Sequence, residues 1–597
     1  MDDNSKFEPK ENVDINQSFR SAWRKLNLST DERSNTTAID YYGNIQTFKE
    51  TDEMMDISAR AIDAISCKDT NIAFSTLTIP STLQMFYGAN QINKTSVFIP
   101  KSSINSDPSS LDEAEVDTII VLDRFLPLVA ESIAKTEIKN IILQSLTDDV
   151  DKAWFDDPVG KMKKLKSLDN PITRKIAEIT RKDTLYRDIK EIRKSTLFKG
   201  KQFITLKEFR EEGRNNRNRI EDKYIENLTS MLVYSSGTTG KPKGIEVTNE
   251  AMLGMYNMFN RQFEENDIFH PGDRFLNLVP IEHVTALAGS DVVAWLKGNT
   301  QVLMPFYNKE TFAYQLRYWN IQNTMVAGNY YTPLIESGLP DGCLNHGSTY
   351  LSGGESIAFS LAKDLELLFE KTRVQKPNLN IGYGASEAGP SIINSTDRTG
   401  LVNQPGKPYC GIDVRVVDKH GNLVNDGQIG FLEAKTPNRM KGYYNSPELT
   451  EEAFTADGYY KSFDFGKRNE NGTFDIVGRA KDGVKAYLKY YITNWDNGIY
   501  DTTITEESQN EVIAHIILRK NENPDISQDE YEKSIIKNLH ERLLKENYDD
   551  FTIPNISYKV WTIFPADTES GKVDSDALSK ATSEIYTLLD GEFVKNS

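Results

Sequence analysis

An α/β fold in more than one domain is what this sequence predicts, and three observations predict it. The chain has 597 residues, too many for a single hydrophobic core, so at least two domains are expected. Residues 38 to 145 alternate short apolar runs rich in β-formers with helix-like stretches, the pattern of a parallel sheet with crossover helices. From about residue 411 the pattern changes to short strands with tight turns. After "DIVGRAKDG" it begins afresh, which places a domain boundary near residues 481 to 483.

The elements follow in order. "NIAFST", "DTIIVL" and "IKNIILQS" read as strands, and "PSTLQMFYGANQI" between them reads as a helix. The stretch from 150 to 225 is polar, charged and mostly helical in pattern, as expected of an excursion from the sheet. After a glycine-rich loop the alternation resumes with "RFLNLVP", "AGSDVVAWLKGNTQVLM", "STYLSGG" and "LNIGYGASE". "IDVRVVDKHGNLV" and "GFLEAKT" then suggest a small barrel or a set of hairpins. The last part offers a strand-like "EVIAHIILRK", a helix-like "DEYEKSIIKNLHERLLKE" and a strand-like "SYKVWTIF".

Composition narrows the function. Hydrophobic residues make up 38% and charged residues 26%, ordinary values for a globular enzyme. No window approaches the roughly 18 uninterrupted apolar residues of a membrane helix. The acidic, polar start "MDDNSKFEPKENVD" lacks the apolar core of a signal peptide, so a cytoplasmic protein without an integral membrane segment is expected. Cys67, Cys343 and Cys410 are widely separated, which suggests neither a disulfide framework nor a metal knuckle. A net charge of -18 argues against nucleic acid as a partner. One region runs the other way, with 20 Lys and Arg against 10 Asp and Glu between residues 161 and 223. Such a run reads as a solvated helical face or as a docking patch for an acidic partner or a phosphorylated cofactor.

The richest stretch is "YSSGTTGKPKG", residues 234 to 244. Glycine backbone N–H groups, hydroxyls and ammonium groups together favour an anion, phosphate above all. It is not a Walker motif, because Pro242 follows Gly240-Lys241 where that motif needs Ser or Thr. It resembles instead the phosphate-binding signature of the acyl-adenylate-forming superfamily, which includes acyl-CoA synthetases, firefly luciferase and peptide-synthetase adenylation domains. Eight consecutive residues, SGTTGKPK, follow that pattern.

Further segments resemble the family's in the family's order. "GYGASEAGP" (382 to 390) is similar to G-Y-G-x-T-E, with Ser386 in place of threonine. The resemblance implies that Tyr383 lies against adenine, that Gly382, Gly384 and Ser386 belong to the same nucleotide-binding segment, and that Glu387 binds Mg²⁺, a carboxylate being suited to a hard cation that keeps much of its water. "GYYKSFDFGKRNENG" resembles Y-x-T-G-D with Ser-Phe for Thr-Gly, which makes Asp464 the expected acceptor of the ribose hydroxyls. In "IVGRAKD", Arg479 is expected at ribose or phosphate, and Lys481-Asp482 at an interdomain hinge. "PADTESGKVD" resembles the segment bearing the family's catalytic lysine, here Lys572, though with one extra residue before Gly571 and Ser575 in place of an arginine. "VPIEHVTALAG" (279 to 289) places His283 at the mouth of the acyl tunnel, and "YLSGGES", with Gly354 and Glu355, is expected beside the substrate or adenine.

What the resemblance implies is a large N-terminal domain of layered α/β subdomains with a small β-rich subdomain, residues 1 to 480. A small mobile α+β C-terminal domain, residues 481 to 597, would carry Lys572. The expected substrates are ATP with Mg²⁺ and a small carboxylic acid, fatty or aryl. No aspartate stands where peptide synthetases bind an α-amino group, only Glu282. Ser235, Ser236, Gly237, Thr238, Thr239, Gly240 and Lys243 would hold the β- and γ-phosphates, and Thr239 would join Glu387 at the metal. Lys572 would bridge carboxylate and α-phosphate, so that acyl-AMP forms and pyrophosphate departs. Transfer to a thiol follows in the family, to coenzyme A or to a phosphopantetheinyl carrier protein. Here Leu488 stands where a glycine lets the pantetheine arm pass, and the segment 483 to 500 is otherwise atypical. An acyl carrier protein or a non-thiol acceptor is therefore a second reading, and a non-catalytic nucleotide-binding relic a third.

Overall fold

The computed structural model describes residues 12–150, 191–235, 243–284, 286–305, 307, 309, 311–353, 357–375, 379–394, 406–493, 499–508, 511–518, 525–543, 555–561, 585–589 and 592–596. Ser236, Gly237, Thr238, Thr239, Gly240, Gly354, Glu355 and Lys572 lie outside these residues, as does 151–190 of the basic stretch. The chain forms two compact units: Met1–Met325 with Ser386–Pro390 and Pro437–Glu452, and Val326–Ala385 with Ser391–Thr436 and Ala453–Ser597.

The first unit is built on strands β1 (Thr37–Tyr41), β2 (Asn44–Thr47), β3 (Asn71–Ser75), β4 (Ser96–Phe98), β5 (Val116–Leu122), β6 (Asn140–Gln144), β7 (Gln202–Thr205), β8 (Thr229–Ser235), β9 (Lys243–Thr248), β10 (Arg274–Asn277), β11 (Thr300–Leu303) and β12 (Asn323–Val326). Its larger sheet runs β9-β8-β4-β3-β5-β6-β7, with the short strand Gly442–Tyr443 on the free edge of β9. The pairs from β8 through β7 are parallel, whereas β9 is antiparallel to β8. The continuous apolar runs explain the parallel centre: every residue of β5 and β6 is buried, as strands covered on both faces require. β7 corrects the sequence reading of 150 to 225 as an excursion. "QFIT", with Gln202 exposed and Ile204 buried, adds an edge strand beside β6, a length too short to stand out within a charged run. In a second sheet β10 pairs in parallel with β11 and β12, β1 joins β11 in parallel, and β2 turns back antiparallel on β1.

The helices carry their own start signals. Phe48–Ile65 opens on a capping box, Thr47 with Glu50. Asn249–Asn266 opens on Thr248 and ends at Asp267 in the left-handed region. Pro80–Gln91 is buried all round, and its Tyr87 joins Trp23 and Trp295 in edge-on aromatic contacts at the centre of the unit.

The second unit contains β13 (Thr349–Gly353) paired in parallel with β14 (Leu379–Ala385), and β15 (Gly389–Asn394) antiparallel to β16 (Lys407–Pro408) through Ile393 and Asn394. β17 (Asp413–Val417), β18 (Ile429–Lys435), β20 (Tyr460–Arg468) and β21 (Phe474–Arg479) form one antiparallel sheet, β19 being the Gly442–Tyr443 strand of the first unit. The C-terminal sheet is mixed, in the order β22 (Ile499–Ser508), β23 (Glu511–Leu518), β24 (Asn555–Trp561), β25 (Ile585–Leu589) and β26 (Glu592–Asn596). The chain is thus α/β, with an antiparallel insertion and an α+β C-terminal part. Among the described residues no helix is long and apolar enough to cross a membrane.

The atypical segment after Gly483 forms the helix Val484–Thr493. Its Leu488 is fully buried, in one apolar cluster with Val477 of β21 and with Val512, Ile536 and Tyr558. Tyr490 donates to Asp475 Oδ2 at 2.7 Å, and Lys467 reaches both Asp475 and the Tyr490 oxygen at 3.1 Å. Gly478, at φ 138°, admits this helix: a Cβ there would lie 3.0 Å from Ala486 Cβ.

Candidate active site

The glycine loop hangs between two paired strands. Ser235 ends β8 and Lys243 begins β9, and the two residues are cross-strand partners at the foot of residues 236–242. An antiparallel pair fixes both ends of such a loop, so its entropy is partly spent before any ligand arrives.

Glu387 sits in a single 3-10 turn, Ser386–Ala388. The chain passes from the second unit into the first after Ala385, so Ser386 and Glu387 belong with the loop strands, whereas Gly382, Tyr383 and Gly384 do not. The Glu387 carbonyl accepts from Met440 N–H at 2.9 Å, and its Oε1 accepts from the Tyr443 hydroxyl at 2.9 Å. The Tyr443 ring lies 5.2 Å from Lys243 Nζ. Burial first, and then the Glu387 charge, hold the Tyr443 phenol well above its ordinary pKa, so it stays a donor. Tyr443 escaped the sequence reading. Its only signal is the Gly-Tyr-Tyr of a two-residue strand, and its meaning lies in what it touches.

In the second unit Tyr383 projects from β14 and donates to Asp464 Oδ2 at 2.6 Å. Asp464 and Arg479 are register partners on β20 and β21, and Arg479 Nε lies 3.3 Å from Asp464 Oδ1. Arg479 is mostly exposed and Asp464 mostly buried, so this ion pair is weak by itself and leaves the guanidinium reachable. Burial first, and then Asp464, raise the Tyr383 phenol well above its ordinary range. Gly353 of β13 is aligned with Gly382 of β14, and an added Cβ on either would meet its nearest atom only at 3.8 Å. Phe463, standing where the family pattern has glycine, keeps φ at 56° and is 59% exposed. A left-handed backbone under an aromatic residue is a strained arrangement beside a candidate binding group.

His283 lies in the turn after Pro280, half-buried, its N–H bonded to the Pro280 carbonyl at 3.1 Å. The segment continues into a π-helical stretch, Ala286–Ala294. There Asp291 is completely buried and accepts from Asn277 Nδ2 at 2.5 Å. Burial pushes this carboxyl up to about 8, against the opposing pull of the Asn277 hydrogen bond. Asp291 is therefore largely neutral at pH 7 and offers no charge to an α-ammonium group. A carboxyl whose folded pKa is raised stabilises fully below its unfolded value, near 3.8, and loses that stability as pH climbs through the folded value. Asp291→Asn should accordingly leave stability unchanged near pH 4 and raise it by several kcal/mol at pH 8, at about 1.4 kcal/mol per pKa unit. Urea denaturation at the two pH values measures this, and equal differences at both would refute it.

The residues assembled here fit Mg²⁺ on the chemistry of the donor set. Glu387 offers a carboxylate, one oxygen of which is held by a phenol, and Mg²⁺ is commonly bound by one or two carboxylates, waters and substrate phosphates. Among the described residues no group of three or more His, Cys, Asp or Glu converges as a closed protein cage would.

These features place the chain in a family. The sequence model of the AMP-binding enzyme family matches residues 27–444, and the chain belongs to that family. Among curated relatives it is similar to a sulfoacetate–CoA ligase of Cupriavidus necator, 27% identical over 267 residues, covering 42% of this chain and 48% of the relative. It is similar also to a malonate–CoA ligase of Arabidopsis thaliana, 26% identical over 273 residues, covering 43% of each. The chain thus spans about half the length of the curated relatives it matches. In fold it is similar to the crystal structure of the anthranilate CoA ligase AuaEII in complex with anthranoyl-AMP. The TM-score is 0.71 at 16% identity, covering 95% of this chain and 97% of that one.

Proposed function

We propose that the protein is an ATP-dependent ligase that activates a carboxylic acid, fatty or aryl rather than α-amino, as acyl-AMP and passes the acyl group to a thiol. The observation that carries this reading is the setting of the glycine loop. In a chain of the AMP-binding enzyme family, SGTTGKPK links two paired strands, with Lys243 at the start of the second. The relatives' names, sulfoacetate–CoA ligase and malonate–CoA ligase, support a thiol acceptor.

In the proposed chemistry a carboxylate oxygen attacks the α-phosphorus of ATP. A new O–P bond forms, the bond from the α-phosphorus to the bridging oxygen breaks, and pyrophosphate leaves with that electron pair. Positioning and charge stabilisation supply most of such a reaction. Ser235 through Gly240 and Lys243 hold the β- and γ-phosphates. Asp464 accepts from the ribose hydroxyls, Tyr383 lies against adenine with Gly382, Gly384 and Ser386 in the same nucleotide-binding segment, and Arg479 pairs with ribose or phosphate. Gly354 and Glu355 belong to the same nucleotide-facing set, and His283 lines the acyl entrance. Glu387, with Thr239, would hold Mg²⁺, which when bound offsets charge on the departing pyrophosphate. Lys572, in a smaller domain of residues 481 to 597, bridges the carboxylate and the α-phosphate.

A second reading has its own observation. Leu488 is sealed in the apolar core of the helix Val484–Thr493, a poor lining for a pantetheine arm that must approach backbone. On that reading the adenylate passes to a carrier protein or to a non-thiol acceptor. Pyrophosphate release with a panel of fatty, aryl and amino acids, each with and without coenzyme A, tests both. Release with one acid class, quickened by coenzyme A as a thioester appears, supports the thiol ligase. Accumulated acyl-AMP unmoved by coenzyme A supports the second reading. No release despite tight ATP binding would leave a nucleotide-binding relic.

A further inference from the structure

We infer that Tyr443 is a positioning residue of the nucleotide site, its hydroxyl orienting the Glu387 carboxylate and its ring seating the Lys243 ammonium. One side chain thereby ties the metal end of the site to the phosphate end. The inference rests on the reading of Glu387 and Lys243 given above, and it adds a residue that no sequence motif supplied.

Three observations within the first unit carry it. First, the hydroxyl reaches Glu387 Oε1 at 2.9 Å, while Met440 N–H holds the Glu387 carbonyl at 2.9 Å. The same short segment therefore fixes both the backbone and the side chain of the glutamate. Second, Lys243 Nζ lies 5.2 Å from the ring centroid, inside the range in which a cation is drawn to an aromatic face. Lys243 is the first residue after the glycine loop, so the ring sets where the ammonium waits. Third, Tyr443 is itself held. It pairs with Ile245 across the strand edge, and its N–H donates to Thr450 Oγ1 at 2.8 Å. That hydroxyl lies close because residue 442 is glycine: a Cβ there would stand 3.0 Å from Thr450 Oγ1. A buried tyrosine that merely filled space would need neither the carboxylate nor the cation.

Groups that orient a metal-binding carboxylate change metal affinity when removed, by about 10- to 100-fold in typical sites. The test uses the full chain, Mn²⁺ as the probe ion, and α,β-methylene ATP, which cannot release pyrophosphate. Mn²⁺ binding is followed by electron paramagnetic resonance, and analogue binding without metal by calorimetry. Tyr443→Phe keeps the ring and loses the hydroxyl, so it should weaken Mn²⁺ about tenfold and leave metal-free analogue affinity unchanged. Tyr443→Leu loses both and should weaken metal-free binding as well, by about threefold to tenfold. Wild-type Mn²⁺ affinity in Tyr443→Phe would overturn the orienting role, and equal metal-free affinity in the two variants would overturn the role of the ring. If the wild type itself binds the analogue no better with Mn²⁺, the reading of Glu387 fails instead.

Discussion

Lys572→Ala is expected to lower acid-dependent pyrophosphate release by about 10²- to 10³-fold, the usual cost of removing one group that stabilises developing charge. The transition state crowds a carboxylate, an α-phosphate and a leaving pyrophosphate, and a single ammonium bridging two of them acts where charge is densest. ATP affinity should change little, because the proposed holders of the β- and γ-phosphates lie elsewhere in the sequence, between β8 and β9. Stability should change little, within about 0.5 kcal/mol, if the lysine serves the reaction and not the fold. That split between rate and stability separates a catalytic lysine from an ordinary one. Steady-state kinetics beside a thermal melt measures it, and unaltered pyrophosphate release would remove the lysine from the mechanism.

The second large effect belongs to Asp464. Alanine there deletes the acceptor of the Tyr383 hydroxyl at 2.6 Å and the partner of Arg479 at 3.3 Å. A charge-assisted hydrogen bond to the ribose would also go, at about 1.5 to 3 kcal/mol, which weakens ATP by roughly 10- to 100-fold. The stranded phenol costs stability too, by about 1 to 3 kcal/mol. Asp464→Asn separates the two losses, since its amide oxygen can still accept from Tyr383. It should recover most of the stability and only part of the affinity. Calorimetric ATP titration and denaturant melts read these outcomes, and full ATP affinity in Asp464→Ala would contradict the assignment.

Much of the fold was legible because the parallel strands had no alternative. "DTIIVL" and "IKNIILQS" are too apolar to face water, and they became the fully buried β5 and β6. The glycine loop was legible as chemistry, since bare backbone, hydroxyls and lysines at that density have few other uses. What escaped was decided by partners distant in sequence. β7 is four residues in a charged run, visible only once β6 offers an edge. The helix Val484–Thr493 lies in the atypical segment, where Leu488, Tyr487 and Ile492 join one apolar cluster with Val477. Tyr443 looks like any strand tyrosine until Glu387, 56 residues earlier, accepts its hydrogen bond. Phe463 shows the converse: the sequence revealed a missing glycine, and the backbone there takes a positive φ of 56° all the same.

The most direct test of the central claim is the identity of the nucleotide released during turnover with a carboxylic acid, read by ³¹P nuclear magnetic resonance. Attack at the α-phosphorus predicts AMP and pyrophosphate in equal amounts, appearing only when the acid is present. ADP with inorganic phosphate would place the attack at the γ-phosphorus and contradict the adenylation mechanism, whatever acid was activated.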